Sequence, residues 1–306
     1  MFQRDIFIQE VIKKLETDKS IYFLSADFGA PALDILRNRF PKNFIHCGIS
    51  EQAMLDIATG LALDGNNVFV YAMAPFLSLR AIEQAKCGPG LMKLPICLIS
   101  VGVGLGYADA GPTHYSTEDF SCFRSIVGSS VYTPSDVSTT KLIAQEMLNN
   151  PKFSYVRLDR EILPNHQSET TTKDYEKGYK IYGNIDEKKS IYISHGKMFH
   201  KCMELFLKEK DKFCCIDIFR SKPFPRQLAK DLASSKSIVV VDEQSPSGNL
   251  SSCVHEGLSK LNFFPKIISV SLPERYIFEN GGRRYLLDKF GLSTNDLLKA
   301  SKEITK

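Results

Sequence analysis

Glu51 stands in the run Gly48-Ile49-Ser50-Glu51-Gln52, where a strand or loop turns into a helix whose expected buried face is Met54, Ile57, Ala58 and Leu61. An acid in that first turn faces the positive pole of the helix, which by itself explains its presence. About 25 residues on, Met73, Phe76 and Leu79 recur at i, i+3 and i+6, a spacing that on its own reads as a core stripe. Ser25-Ala26-Asp27 closes an apolar run as a polar strand end. Arg4 and Arg160 carry forks that suit a phosphate by geometry, although a lone arginine is usually a surface residue. The eight cysteines are scattered without a C-x-x-C pair, so they read as reduced thiols of a cytoplasmic protein, with no metal site among them. Gly102-Val103-Gly104-Leu105-Gly106 has its third glycine misplaced for a dinucleotide fingerprint, and no suitable helix opens there.

Elements must bring these residues together. Short apolar runs rich in β-branched or aromatic residues, at 21–24, 68–71, 95–101, 131–132 and 154–158, alternate with helical patterns at 31–40, 51–63, 76–87 and 136–149. Such alternation predicts an α/β fold with parallel sheets covered on both faces. The segment 165–174 (NHQSETTTKD) is polar and aperiodic, and it follows Pro164, which marks a linker. A second alternation follows, with strands at 190–193, 214–218, 237–241 and 266–269 and helices at 197–207, 226–234 and 249–260. The expected organisation is two doubly wound domains, 1–165 and 178–306, joined by a linker at 166–177.

With 306 residues, 43% of them hydrophobic, the chain is long enough to bury two such cores. Its net charge of +4 comes from mixed stretches such as Lys208-Glu209-Lys210-Asp211-Lys212, which suits a solvated surface and not a nucleic-acid partner. The most apolar run, 94–105, is shorter than the ~20 residues needed to span a bilayer, and it contains Pro95. No membrane partner is expected. The amino terminus enters an amphipathic pattern (Ile6, Ile8, Val11, Ile12, Leu15) with no export signal.

Taken together, Gly48 to Gln52 and the strand leading into Phe76 resemble the pyrimidine-binding domain of transketolase-type thiamine diphosphate enzymes. The resemblance implies that Glu51 hydrogen-bonds a ring nitrogen of the aminopyrimidine and promotes its imino tautomer. It also implies that Phe76 stacks on that ring, with Met73 and Leu79 flanking it, Ile49 supporting the bent cofactor and Asp27 near the thiazolium. Gly111-Pro112-Thr113-His114 resembles the substrate channel of the same family, which places His114 there, and Arg4 and Arg160 match its phosphate-binding arginines. Further on, Ser194-His195-Gly196, Asp217 to Pro223 and Val241 to Gln244 resemble the transketolase carboxy-terminal domain, which mainly supports a dimer. No catalysis is therefore expected of His195 or Asp242.

Two departures and one absence shape the expectation. The family's aspartate before Gly111 is Ala110 here, with Asp109 one residue earlier as a substitute, and a histidine expected about eight residues upstream is Gly102. Loss of both groups predicts a widened channel and atypical sugar specificity. No G-D-G occurs, so the diphosphate and its divalent cation, Mg or Ca, are expected on a partner subunit. The resemblance implies the carboxy-terminal subunit of a split transketolase-like enzyme. Two such chains would join two amino-terminal partners in a heterotetramer that moves a two-carbon ketol unit from a ketose to an aldose. The alternatives are the beta subunit of a 2-oxoacid dehydrogenase decarboxylating component, against which Gly111 to His114 argues, a deoxyxylulose phosphate synthase-like enzyme, and a scaffolding subunit.

Overall fold

The apolar run Ile96–Val101 is buried along its whole length, as a parallel strand must be when helices cover both faces of its sheet. It lies mid-sheet in a computed structural model that describes residues 1–26, 29–166, 170–185, 190–233, 235 and 237–304. The described strands are β1 Ile21–Ala26, β2 Phe44–Gly48, β3 Asn67–Met73, β4 Ile96–Val101, β5 Ser130–Tyr132, β6 Ser154–Leu158, β7 Lys180–Tyr182, β8 Ser190–Ser194, β9 Phe213–Asp217, β10 Arg220–Lys222, β11 Ser237–Val241 and β12 Lys266–Val270. The described helices are α1 Gln3–Leu15, α2 Pro31–Arg39, α3 Glu51–Leu63, α4 Ile82–Ala85, α5 Asp119–Ser125, α6 Val137–Asn149, α7 Thr172–Lys177, α8 Gly196–Lys208, α9 Arg226–Asp231, α10 Leu250–Ser259, α11 Gly282–Lys289 and α12 Thr294–Ile304.

Among the described residues these strands form two sheets, ordered β10-β5-β6-β4-β3-β1-β2 and β12-β11-β8-β9-β7. The α/β class with two mostly parallel sheets agrees with the sequence reading. Helices α1, α2 and α6 cover one face of the first sheet through residues such as Phe7, Val11, Leu33 and Ile143. Its other face shares one apolar layer with the second sheet, running from Leu55, Val70 and Leu98 through Phe120 and Phe123 to Ile191, Ile216 and Val240. Helix α8 packs Met198, Phe199 and Cys202 onto the far face of the second sheet, and each large side chain so buried is worth roughly 1.5–3 kcal/mol. No described helix is long and apolar enough to cross a membrane.

Three local features differ from the sequence expectation. Residues 172–177, assigned to the linker, form α7. A reciprocal capping box between Thr171 and Asp174 starts it, and Gly178 at φ 89° ends it, which overrides the polar, aperiodic composition. The helix expected over 76–87 is broken into a π turn at Phe76–Arg80, then α4, then a second π turn at Lys86–Gly90. Pro89 has no N–H to continue an α ladder, and Ala81, at φ −115° and ψ 21°, leaves helical geometry between the pieces. Finally, β10, from the second half of the chain, pairs antiparallel with β5 at the edge of the first sheet, so the two halves are not separate along the chain. Asp27, residues 167–169 of the linker and Ser234 lie outside the described residues.

Candidate functional site

The turn into α3 is built by backbone geometry. Gly48 adopts φ 68°, which glycine reaches without strain, and Ser50 donates from Oγ to the Cys47 carbonyl at 2.6 Å. Glu51 thereby becomes the first residue of α3 and is only 3% exposed. Its Oε2 accepts a hydrogen bond from Arg80 Nη1 at 2.7 Å. Arg80 in turn lays its guanidinium over the Phe76 ring, with Cζ 4.3 Å from the centroid. The π turn makes this possible by keeping Phe76 and Arg80 on one side of the chain, while Ser78 turns inward and bonds the Ala74 carbonyl at 2.7 Å.

Met73, Phe76 and Leu79 do not form a buried core stripe. Leu77 and Ser78 are the buried residues of the π turn, whereas Met73 and Phe76 are half-buried and Leu79 is 50% exposed. Ile49 beside them is 77% exposed. Ile57 and Leu63 on α3, and Leu91 and Met92 after the second π turn, are also exposed, so Ile57 does not belong to the buried face expected of that helix. His114 meets the Phe76 ring edge-on at 5.3 Å and shares a 2.9 Å contact with Thr113 Oγ1. An aromatic face, a buried carboxylate and an aliphatic surround fit a flat heterocycle with a basic ring nitrogen. Arg80, which sequence reasoning passed over, covers that same face. The signal for it was its position four residues after Phe76.

A second group lies beside the first, because β3, β4 and β6 run in register with Met73 opposite Val101 and Val101 opposite Leu158. Their carboxyl ends therefore open on one edge, where open α/β sheets bind ligands. Arg160 donates to Asp109 at 2.9 Å and stacks over Tyr107 with Cζ 4.4 Å from the ring centroid. The amide of Asp109 itself and the charge of Arg160 hold that carboxyl below its ordinary range. Burial pushes the Tyr107 hydroxyl up to about 12 against the opposing charges of Arg160 and Arg4. Tyr71, fully buried, is pushed up for the same reason, with Arg4 and Tyr107 as its electrostatic neighbours. Arg4 contacts Asp5 at 3.3 Å and is mostly buried.

The channel is not widened at Gly102. A Cβ added to Gly102 would fall 2.0 Å from Tyr107 Cε2, so the tyrosine ring fills the space that a side chain at position 102 would need. Ala110 and Asp109 are exposed, and Asp109 turns to Arg160.

Behind this edge, two buried arginines fasten the sheets together, and neither was visible as a motif. Arg283 forks onto Asp159, at 2.8 and 2.9 Å, and onto Glu243, at 2.8 and 2.6 Å. Arg157 holds both oxygens of Asp119 and contacts His195 at 3.4 Å, and His195 continues to Asp242 at 3.1 Å. His195 and Asp242 are thus members of a buried structural chain.

The family described as "Transketolase, pyrimidine binding domain" matches residues 3–166. Over 308 residues the chain is 26% identical to one subunit of the apulose-4-phosphate transketolase of Phocaeicola vulgatus, covering 99% of this chain and 97% of that one. It is 27% identical over 301 residues to transketolase-like protein 1 of Mus musculus, covering 94% of this chain but only 48% of that one, so it spans about half of this relative. Among solved structures, one described as "Split gene transketolase, inactive beta4 tetramer" superposes with a TM-score of 0.85 at 23% identity, covering 99% of this chain and 98% of that one, a likeness of fold.

Proposed function

The chain belongs to the transketolase family through its pyrimidine-binding domain, and from that premise we propose that it is the cofactor-activating, carboxy-terminal subunit of a two-chain ketol transferase. The observation that carries the reading is the buried Glu51 carboxylate joined through Arg80 to the half-buried Phe76 ring, with Ile49, Met73 and Leu79 close by in sequence. Thiamine diphosphate supplies the electron sink for the transferred two-carbon unit. Glu51 would share a proton with the pyrimidine ring nitrogen and stabilise the ring in its protonated form. Phe76 stacks on the ring, and the aliphatic residues exclude water around it.

The diphosphate and its Mg or Ca ion belong, on this reading, to an amino-terminal partner. The match along nearly the whole of a relative that is itself named as one subunit of a transketolase supports a partner, as do the exposed apolar side chains Ile49, Leu79, Leu91 and Met92. Two copies of each chain form the assembly, and the eight free cysteines support a reducing, cytoplasmic setting. Arg4 and Arg160 take the phosphate of a sugar phosphate, and His114 lines its path. Tyr107, its ring filling the space that a side chain at position 102 would need, backs Arg160 from beneath. A relative named for apulose 4-phosphate supports an atypical sugar.

The test is reconstitution. The purified chain alone should bind thiamine diphosphate weakly and turn nothing over. Co-expression with a chain carrying G-D-G should restore both binding and ketol transfer. Robust transfer by the single chain overturns the two-chain reading, and an assembled complex inert toward every ketose donor overturns the activity.

A further inference from the structure

A cavity of about 740 Å³ opens between α9, α10 and the strand β10, on residues that the proposed chemistry does not use. Its size falls within the roughly 300–1,000 Å³ of small-molecule sites, and it lies at the seam between the two sheets, where such sites concentrate. Five cationic side chains line it, Arg124, Lys222, Arg226, Lys230 and Lys260, against a single acid, Glu256.

The acid is already engaged, since Glu256 accepts from Arg124 at 2.7 Å. Lys222 is half-buried, and its ammonium bonds only neutral oxygens: the Arg124 carbonyl at 2.8 Å, the Ile126 carbonyl, and Ser129 Oγ at 3.0 Å. Its charge is therefore fixed in place and left uncompensated. Among the described residues, Arg226, Lys230 and Lys260 have no salt-bridge partner. Arg226 and Lys230 stand four residues apart on α9, a like-charge arrangement that disfavours the helix, and Arg226 also sits at its amino-terminal end, where the dipole opposes a cation. The one acid of α9, Asp231, is occupied by Tyr179 at 2.6 Å and Gln227 at 2.7 Å. A bound anion would relieve all of these repulsions together.

The walls are not polar throughout. Gly257 has no side chain, and a Cβ there would fall 2.4 Å from the Phe224 ring, so glycine lets that ring lie against α10. Leu261 is 43% exposed on the same cavity. Cations around an aromatic and aliphatic wall suit a phosphate group attached to a flat or apolar body. We propose that this cavity binds a small organic phosphate of that kind, such as a nucleoside polyphosphate, at a site separate from the Glu51 cradle.

The test is calorimetric titration of the purified full chain with ATP, inorganic tripolyphosphate and adenosine. ATP should bind most tightly, tripolyphosphate more weakly and adenosine weakest. The surface variant Arg226→Glu with Lys260→Glu should weaken ATP at least tenfold with an unchanged circular dichroism spectrum, and Leu261→Ser should weaken ATP more than tripolyphosphate. Glu51→Gln should leave ATP binding intact, which separates this site from the cofactor cradle. The proposal is overturned if ATP does not bind at millimolar concentration, or if the double variant binds it as well as the wild type. It is equally overturned if a single-stranded oligonucleotide binds more tightly than ATP and is lost in the same variant, because the surface then serves nucleic acid.

Discussion

Glu51 and Arg80 form a 2.7 Å ion pair in which the carboxylate is buried and the guanidinium is 42% exposed. The same guanidinium occupies the face of Phe76, so the pair and a stacked pyrimidine compete for one place. A half-exposed pair is worth roughly 0.2–1 kcal/mol. Arg80→Leu should therefore tighten thiamine diphosphate binding to the assembled enzyme by up to about fivefold, as read by titration calorimetry. Weaker binding in the variant would show that Arg80 holds the cofactor and does not shield its site.

Glu51→Gln keeps the shape of the side chain and removes the acceptor charge. Proton-transfer assistance of this kind is typically worth ~10²–10⁴-fold, and activity should fall by about that much while the subunits still assemble. Hydrogen–deuterium exchange at the thiazolium carbon of the reconstituted enzyme reads the step directly. Exchange as fast as in the wild type removes Glu51 from the role.

Tyr107 and Gly102 should behave as one unit. Gly102→Ala places a methyl group against the tyrosine ring at a residue with φ 86°, and it should cost about 1–3 kcal/mol in urea unfolding. Tyr107→Phe leaves the packing intact and removes one buried hydroxyl beside Arg160 and Arg4, so stability should change by about 1 kcal/mol or less while kcat/KM on the best sugar phosphate falls about 2–10-fold through the displaced arginines. An unchanged kcat/KM across a donor and acceptor panel would show that the hydroxyl does not help to place those arginines.

Arg283→Met leaves Asp159 and Glu243 buried without their cation, which should cost about 3–5 kcal/mol at neutral pH. The pH dependence has a definite sign. Burial alone would raise the Asp159 pKa, but the charge and hydrogen bonds of Arg283 outweigh it and hold the carboxyl low. In the wild type its contribution is complete above the ordinary aspartate value of about 4 and is lost only as pH falls through the lower folded value. In the variant the orphaned Asp159 carboxyl is raised by burial and protonates earlier, so the stability gap should narrow as pH drops from 7 toward about 4. A gap constant across that range would show that the lost arginine acts through packing alone.

What the sequence disclosed depended on how local each signal was. The strand Ile96–Val101 was legible because burial on both faces leaves a continuous apolar run, and Glu51 and Phe76 stood out because both flank turns with distinctive residues. The capping box of α7 was equally local, but the polar segment around it outweighed it. Arg283 lies 124 residues from Asp159 and 40 from Glu243, and no periodicity links positions so far apart. Gly102 looks like a missing group in the sequence, but the space it leaves belongs to Tyr107 five residues later.

The strand β10 gives the chain a timetable. The first sheet ends in β5, yet the strand that covers this edge, Arg220–Lys222, follows roughly 90 residues later. At ribosomal rates of ~5–20 residues per second, the edge stands open for about 5–20 s in every newly made molecule. During that interval Val131 and Tyr132 present unpaired backbone to neighbouring nascent chains, the circumstance in which strand edges recruit one another. Yield in a heterologous host should thus depend on translation speed between residues 132 and 222 as much as on the stability of the finished protein.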